Sequence, residues 1–332
     1  MAGSTRAERQ VVGLGNAIVD VIAEVDDQLI ERLGLDKGAM HLVDLERMRS
    51  LYAAMPSGLE MSGGSCANTM AALAALGADV GYVGKVRNDQ LGEIFAHDIR
   101  ATGVAFATPP LEHGPATARC LVFVSPDAQR TMATYLGACV ELGPDDVDGA
   151  LIASAEITYL EGYLWDRPDA KAACLKAAAI AHQNGRQIAL TLSDPFCVER
   201  WHGEFVDLVE DHVDILIGNE AEVIRLFEVA TFEQAVDAAR ARGWTAALTR
   251  GARGSVVVRD GEAVPVAAAA VERVLDTTGA GDLYAAGLLM GLSEGWPLDR
   301  AGRLGSLTAG AILGQYGARA EHPLRPLVDQ SA

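Results

Sequence analysis

The sequence predicts an α/β fold, a doubly wound and mostly parallel sheet flanked by helices, with a small second sheet beside it. Three observations point there. From about residue 155 short β-rich runs alternate with helical periodicity, the order of strand-helix repeats. At 254–266 the pattern turns into SVVVRD, an Asp260-Gly261 turn and EAVPV, a hairpin at a sheet edge, where Pro265 is tolerated. Upstream, 11–25 and 116–135 look strand-like but lack the intervening helices that parallel neighbours need, so they are expected in a small separate sheet.

Taken in order, 1–10 reads as a disordered tail and 11–332 as one folded domain, since no repeat, low-complexity tract or Pro/Ser linker divides it. A helix from about Ala67 to Leu76 leads into a strand over 80–83. Further strands are expected at 156–160, 187–192, 213–217 and 245–249. Helices are expected at 171–182, closed by Asn184-Gly185, and at 232–241, closed by Gly243. A strand-like stretch at 271–275 precedes a helical run over 283–292.

With 332 residues, half of them apolar, the chain can bury an extensive core. A formal charge of −18 argues against nucleic acid or an anionic membrane as partner, because both call for a basic face. Five dispersed cysteines without a C-x-x-C pair fit a reduced, cytoplasmic compartment. No apolar run approaches the ~18 residues of a membrane span, and the opening MAGSTRAERQ lacks a signal-peptide core.

Four segments could carry chemistry. In Asp276-Thr277-Thr278-Gly279-Ala280-Gly281-Asp282 three small residues let backbone amides approach an anion at the start of a helix. Asp282 then serves either as a helix cap or as the base that takes a proton from an attacking hydroxyl. Gly63-Gly64-Ser65-Cys66-Ala67-Asn68 places two glycines before another helix, with the Asn68 amide suited to a polyhydroxy ligand or to capping a loop.

Gly13-Leu14-Gly15-Asn16 resembles a dinucleotide fingerprint, but Ile18 stands where the third glycine belongs and no clear strand-helix-strand unit follows. Asn16 and Asp20 make better sense as hydroxyl-binding side chains, Asp20 accepting from a vicinal diol. Asn219-Glu220-Ala221-Glu222 and Thr249-Arg250-Gly251-Ala252-Arg253-Gly254 follow expected strands, where nucleotides bind open α/β sheets. Asn219 and Glu222 offer oxygens for Mg²⁺ or its waters. The common NTPase, protein kinase, zinc protease and esterase motifs are missing from the sequence.

In order and spacing, GGSCAN, NEAE, TRGARG and DTTGAGD resemble the ribokinase-like (PfkB) family of carbohydrate and nucleoside kinases, over residues 11–323. The resemblance implies ATP and Mg²⁺ as cofactors, Asp282 as general base and the Gly279, Ala280 and Gly281 amides as anion hole. It puts Asn219, Thr249, Gly251 and Gly254 on ATP, and Glu222 with Asn219 near Mg²⁺ through water. Asp276 and Thr277 fall where many members hold a monovalent cation such as K⁺. A small β-sheet lid is implied at roughly 18–62 and 105–137, which would shut water out of the reaction.

Within the family the chain looks most like the adenosine kinase branch. Asn16 and Asp20 match its opening segment, and Tyr159-Leu-Glu-Gly-Tyr163 and Leu192-Ser-Asp-Pro-Phe196 resemble two segments that put aromatics near the base. Tyr163 and Phe196 would then stack on a purine or else pack in the core, with Gly63, Gly64 and Asn68 on the sugar. Glu161 and Asp194 depart from that branch by replacing small residues. The expected partner is thus a nucleoside, adenosine before others, with a sugar kinase of ribose or fructose type as the alternative. A non-catalytic nucleoside-binding regulator and a dinucleotide oxidoreductase are more remote. Monomer and homodimer both fit.

Overall fold

A computed structural model describes residues 7–127 and 129–332. Its strands are β1 Arg9–Leu14, β2 Ile18–Glu24, β3 Met40–Leu42, β4 Leu59–Gly63, β5 Val80–Val83, β6 Ala105–Phe106 and β7 Ala118–Val124. They continue with β8 Arg130–Tyr135, β9 Ala155–Glu161, β10 Gln187–Thr191, β11 Ile215–Asn219, β12 Thr245–Thr249, β13 Ser255–Arg259 and β14 Glu262–Val266.

Nine strands form the larger sheet in the order β14-β13-β12-β11-β10-β9-β1-β5-β6. From β12 to β6 every neighbouring pair is parallel. The final hairpin adds β13 and β14 antiparallel at one edge, and Asp260 and Gly261 turn it with φ of 51° and 78°. β1 lies centrally, with later strands added on both sides of it. The order therefore reverses between β1 and β9, and ligands of such sheets bind beyond the strand ends at that reversal.

Both faces of this sheet are covered, which is why its strands are apolar on both sides. On one face Val11, Ile157, Ala189 and Ala247 pack with helices Ser65–Leu76, Ala280–Ser293 and Leu298–Ile312. On the other, Val12, Leu160, Leu190 and Ala246 pack with helices Pro168–Gln183, His202–His212 and Phe232–Arg242. Helix Ala280–Ser293 is buried from Leu283 to Leu292, and its alanines and glycines permit that by letting neighbours approach on every side.

Five strands form the smaller sheet, ordered β3-β8-β7-β2-β4. One face packs Val21, Leu121, Phe123 and Ala133 against Ile30, Met48 and Leu51 of two short helices. Its other face carries Ile18, Asp20, Cys120 and Val122, with Asp20 directly opposite Cys120 in the register. Both edge strands expose apolar side chains, Met40 and Leu42 on β3 and Leu59 on β4.

The structure corrects four expectations. The strand-like run at 11–25 divides between sheets, because Gly15 to Ala17 interrupt it: β1 lies inside the large sheet and only β2 joins the small one. β2 also pairs in parallel with β7, the return being made through the whole β3–β6 excursion instead of one helix. No strand forms at 271–275; Val274 is exposed, and Leu275 N donates to Leu313 O at 2.7 Å, which ties the run to the end of a helix rather than to a sheet. Of the expected tail 1–10, the first six residues lie outside those described, and Arg9 and Gln10 are already in β1. Among the described residues no helix is long and apolar enough to cross a membrane.

Candidate active site

Most helices here start on a side chain that caps them: Asp89, Asp194, Asn219 and Thr231 each accept an amide of the following turn. Helices Ser65–Leu76 and Ala280–Ser293 start on Gly64 and Gly279 without a side-chain cap. These two helices pack on each other and against β1 and β9. Their starts leave amide N–H groups and the positive ends of two helix dipoles for an incoming anion.

Asp282 stands in the first turn of the second helix and is held by the first. Ser65 Oγ donates to its Oδ1 at 2.6 Å and Asn68 Nδ2 to its Oδ2 at 3.1 Å. Burial pushes the carboxyl above its ordinary range, while these two donors and Arg319 pull it back. Asp282 therefore does not cap its own helix. Around it, Gly279 adopts φ 76°, and an added Cβ there would strike Ala318, whereas the space beside Gly281 is open. Ala280 N donates to Thr277 O at 3.1 Å, closing the turn.

Asp20 reaches the cleft from β2, and Gly63 makes room for it: a Cβ on Gly63 would lie 2.3–2.8 Å from the Asp20 carboxyl atoms. Burial raises Asp20 to about 6, against the pull of Arg319 and Arg130 and with the push of Asp282. Asn16 stands just beyond β1. Its Nδ2 donates to Glu161 Oε1 at 2.9 Å, and Cys66 N donates to Glu161 Oε2 at 3.0 Å. Glu161, 2% exposed and with no ion pair among the described residues, is raised to about 7 by burial. The glycines of the opening segment now have a packing reason, since a Cβ on Gly15 would meet Cys66 Cβ at 2.4 Å and Glu161 Oε2 at 2.5 Å.

Tyr163 and Phe196 follow β9 and β10 and are 38% and 73% exposed, so neither is ordinary core packing. Tyr163 Oη donates to Ser193 O at 3.2 Å, and Ser193 holds φ 70°, a left-handed conformation that costs a serine about 1 kcal/mol. That strain sits between β10 and the helix that Asp194 caps.

A second group lies at the ends of β11 and β12, where the register pairs Asn219 with Thr249. Glu222 accepts from Asn219 N at 2.8 Å and from Asn219 Nδ2 at 2.6 Å, and burial raises it to about 7. Asn219 Oδ1 in turn accepts from Ala221 N and Glu222 N, so the pair forms a capping box. Gly251 and Gly254, at φ 56° and 82°, shape the next loop, and Arg250 N donates to Gly254 O at 2.8 Å. Among the described residues no hydrogen bond joins this group to Asp282.

Asp276 is almost fully enclosed. Thr278 N donates to its Oδ1 at 2.9 Å, Gly317 N donates to its Oδ2 at 3.0 Å, and Arg130 of β8 forms an ion pair with it at 2.6 Å. Both oxygens are engaged and the charge is matched, so the carboxylate does not fit a monovalent cation as well. Thr277 is exposed.

Sequence motifs missed Ser65 as a partner of Asp282, and missed Arg130 and Arg319 altogether. The last two lie outside any glycine-rich turn and carry no local signal.

Comparison with known proteins bears on the family and the fold. The model of the pfkB family of carbohydrate kinases matches residues 50–325. The chain is 50% identical to the adenosine kinase of Sinorhizobium meliloti, whose crystal structure superposes with a TM-score of 0.90, covering 98% of this chain and 100% of that one. It is 46% identical to a probable sugar kinase of Rhizobium etli CFN 42, with a TM-score of 0.91 over 98% of this chain and 99% of that one. A 5-dehydro-2-deoxygluconokinase of Clostridium perfringens is 25% identical over 276 residues, 79% of this chain and 80% of the relative. The family match runs from before β4 to the last helix, taking in the starts at Gly64 and Gly279. The chain belongs to the pfkB family of carbohydrate kinases and is a phosphotransferase that uses an alcohol group as acceptor.

Proposed function

We propose that the protein is an ATP- and Mg²⁺-dependent kinase that phosphorylates the 5′-hydroxyl of a purine nucleoside, converting adenosine to AMP. The observation that carries this reading is the Asp282 carboxylate, fixed by Ser65 and Asn68 at an uncapped helix start. A base there takes the proton as the hydroxyl oxygen attacks the γ-phosphorus and the bond to ADP breaks. The amides of Gly279 and Gly281 face the charge that builds on the transferring oxygens, and Ala280 N joins them by giving up its bond to Thr277 O.

Asp20 and Asn16 accept and donate to the sugar hydroxyls, with Gly63, Gly64 and Asn68 closing the sugar site. Tyr163 and Phe196 offer exposed aromatic faces for the base, and identity to the S. meliloti adenosine kinase supports that choice of acceptor. Asn219, Thr249, Gly251 and Gly254 hold the nucleotide at the ends of β11 and β12. Mg²⁺ brought with ATP neutralises phosphate charge. Asn219 and Glu222 already bond each other, which suits contact with the metal through water rather than direct ligation. A role for K⁺ at Asp276 and Thr277 receives no step here, because Arg130 already matches that carboxylate.

The 18–62 and 105–137 excursions act as the lid, apart from β6 Ala105–Phe106, which belongs to the large sheet, and the molecule works in the cytoplasm as a monomer or homodimer. A sugar acceptor is the second reading. It is favoured by the buried Glu161 carboxylate beside Asn16 and by identity to the R. etli protein. A panel of adenosine, other nucleosides, ribose, fructose and 5-dehydro-2-deoxygluconate with ATP/Mg²⁺ decides between them. Adenosine is expected to give the highest kcat/KM, and Asp282→Asn to lose at least about 10²-fold in kcat with the fold intact. A sugar turned over better than any nucleoside, or full activity in Asp282→Asn, overturns the respective part.

A further inference from the structure

Three consecutive residues near the C-terminus touch three separate parts of the site. Gly317 N donates to Asp276. Ala318 fills the space beside Gly279. Arg319 spans the other helix start: its Nη1 donates to Ala67 O at 3.0 Å, and its Nη2 to Ser62 O and Ser62 Oγ, both at 2.9 Å. Those acceptors bracket the Gly63-Gly64-Ser65-Cys66 turn that carries the Asp282 partner Ser65. Ser62 is itself anchored, donating from N and Oγ to Asp98 Oδ2 at 2.8 and 2.6 Å.

We propose that Arg319 is the positioning residue of this reaction, a cationic clamp that fixes the 63–66 turn against the Asp282 turn and offsets the carboxylates on either side of it. The inference rests on the kinase reading above and extends it.

Its charge is placed between acids. Asp98, Asp20 and Asp282 all favour the guanidinium against its own burial. Asp20 faces Arg319, Arg130 and Asp282; Asp282 faces Ser65, Asn68 and Arg319, with Glu161 and Tyr159 nearby. Two carboxylates in one cleft disfavour each other's charge, and Arg319 is the cation that both share. Its Nε is shut off from solvent without a partner, so the group is held here by the fork and the surrounding charge. A lysine supplies the charge and three donors, but all on one nitrogen, without the planar fork that reaches Ala67 O from one nitrogen and Ser62 from another.

The test compares Arg319→Gln and Arg319→Lys with wild type, using the pH dependence of kcat/KM, kcat at the plateau and thermal melting. Arg319→Gln is expected to move the acid limb up by about one pH unit and to lower plateau kcat at least about tenfold. Arg319→Lys should keep the limb within about 0.3 unit while still losing about tenfold in kcat, separating charge from clamp. A folded Arg319→Gln with the wild-type limb and kcat overturns the proposal, as does a limb that moves down. If Arg319→Gln does not fold, a wild-type kcat in Arg319→Lys overturns it. If wild type turns over no acceptor, it is the kinase reading that fails, and the clamp is read by hydrogen exchange instead. Amides of 63–67 should then exchange at least about tenfold faster in Arg319→Lys, and unchanged exchange overturns the clamp.

Discussion

Asn16 and Glu161 tie together the ends of the two strands between which the large sheet reverses, Asn16 Nδ2 donating to Glu161 Oε1 at 2.9 Å. The bond joins a buried amide to a carboxylate that forms no ion pair among the described residues. Glu161 is raised by burial from 4.5 to about 7, so the native state binds its proton more tightly than the unfolded chain does. Between those values rising pH charges the unfolded chain first, and stability falls as pH rises. Glu161→Gln should remove its share of that slope, gaining about 1–3 kcal/mol over wild type at pH 8 relative to pH 5. Urea unfolding at the two pH values checks this. Asp20 and Glu222 shift in the same sense, so some slope remains in the variant.

Among the described residues Ser65 is one of two side-chain donors to the Asp282 carboxylate, and its removal leaves burial less opposed. Ser65→Ala should lower kcat about tenfold and move the acid limb of the pH profile upward. The acceptor KM should change little, because the Ser65 hydroxyl is spent on Asp282. A kinetic pH series reads all three.

Gly63 has to be glycine because Asp20 fills its side-chain space, with carboxyl atoms 2.3–2.8 Å from the Cβ position. Gly63→Ala should therefore push Asp20 aside, raising the acceptor KM at least about tenfold and costing about 1–3 kcal/mol in stability. Acceptor saturation curves and denaturant melts measure the two effects, and ATP KM should remain unchanged.

Tyr163 and Phe196 are exposed at the strand ends, so truncating them removes little core. Phe196→Ala should alter stability by no more than about 0.5 kcal/mol. It should raise the KM for a nucleoside about tenfold while leaving any activity on a free sugar unaffected, since stacking concerns the base alone. Equal losses on nucleoside and sugar would show that Phe196 does not meet the base.

Much of the fold is legible in the sequence. The strands expected at 80–83 and 245–249 match β5 and β12 residue for residue, because buried parallel strands are short apolar runs with polar stops. The 11–25 run was not legible as two strands in two sheets. Apolar alternation gives a strand and its faces, but carries no term for which sheet it enters. The strand-like run at 271–275 forms no strand at all, and Leu275 N is satisfied by Leu313 O at the end of a helix instead.

Within the site, the sequence by itself determined the parts built from local backbone: glycine-rich turns before helices, a carboxylate in the first turn of one of them, loops at strand ends. Those depend on residues a few positions apart, and Gly279-Ala280-Gly281-Asp282 states them directly. Only the tertiary structure decided what holds Asp282. Ser65 and Asn68, more than 200 positions away in the chain, take its oxygens and leave its own helix uncapped. The same holds for Arg130 on Asp276 and for Arg319 across the 63–66 turn. A long flexible side chain can pair with any opposite charge within reach, and reach is set by packing, which no local pattern records.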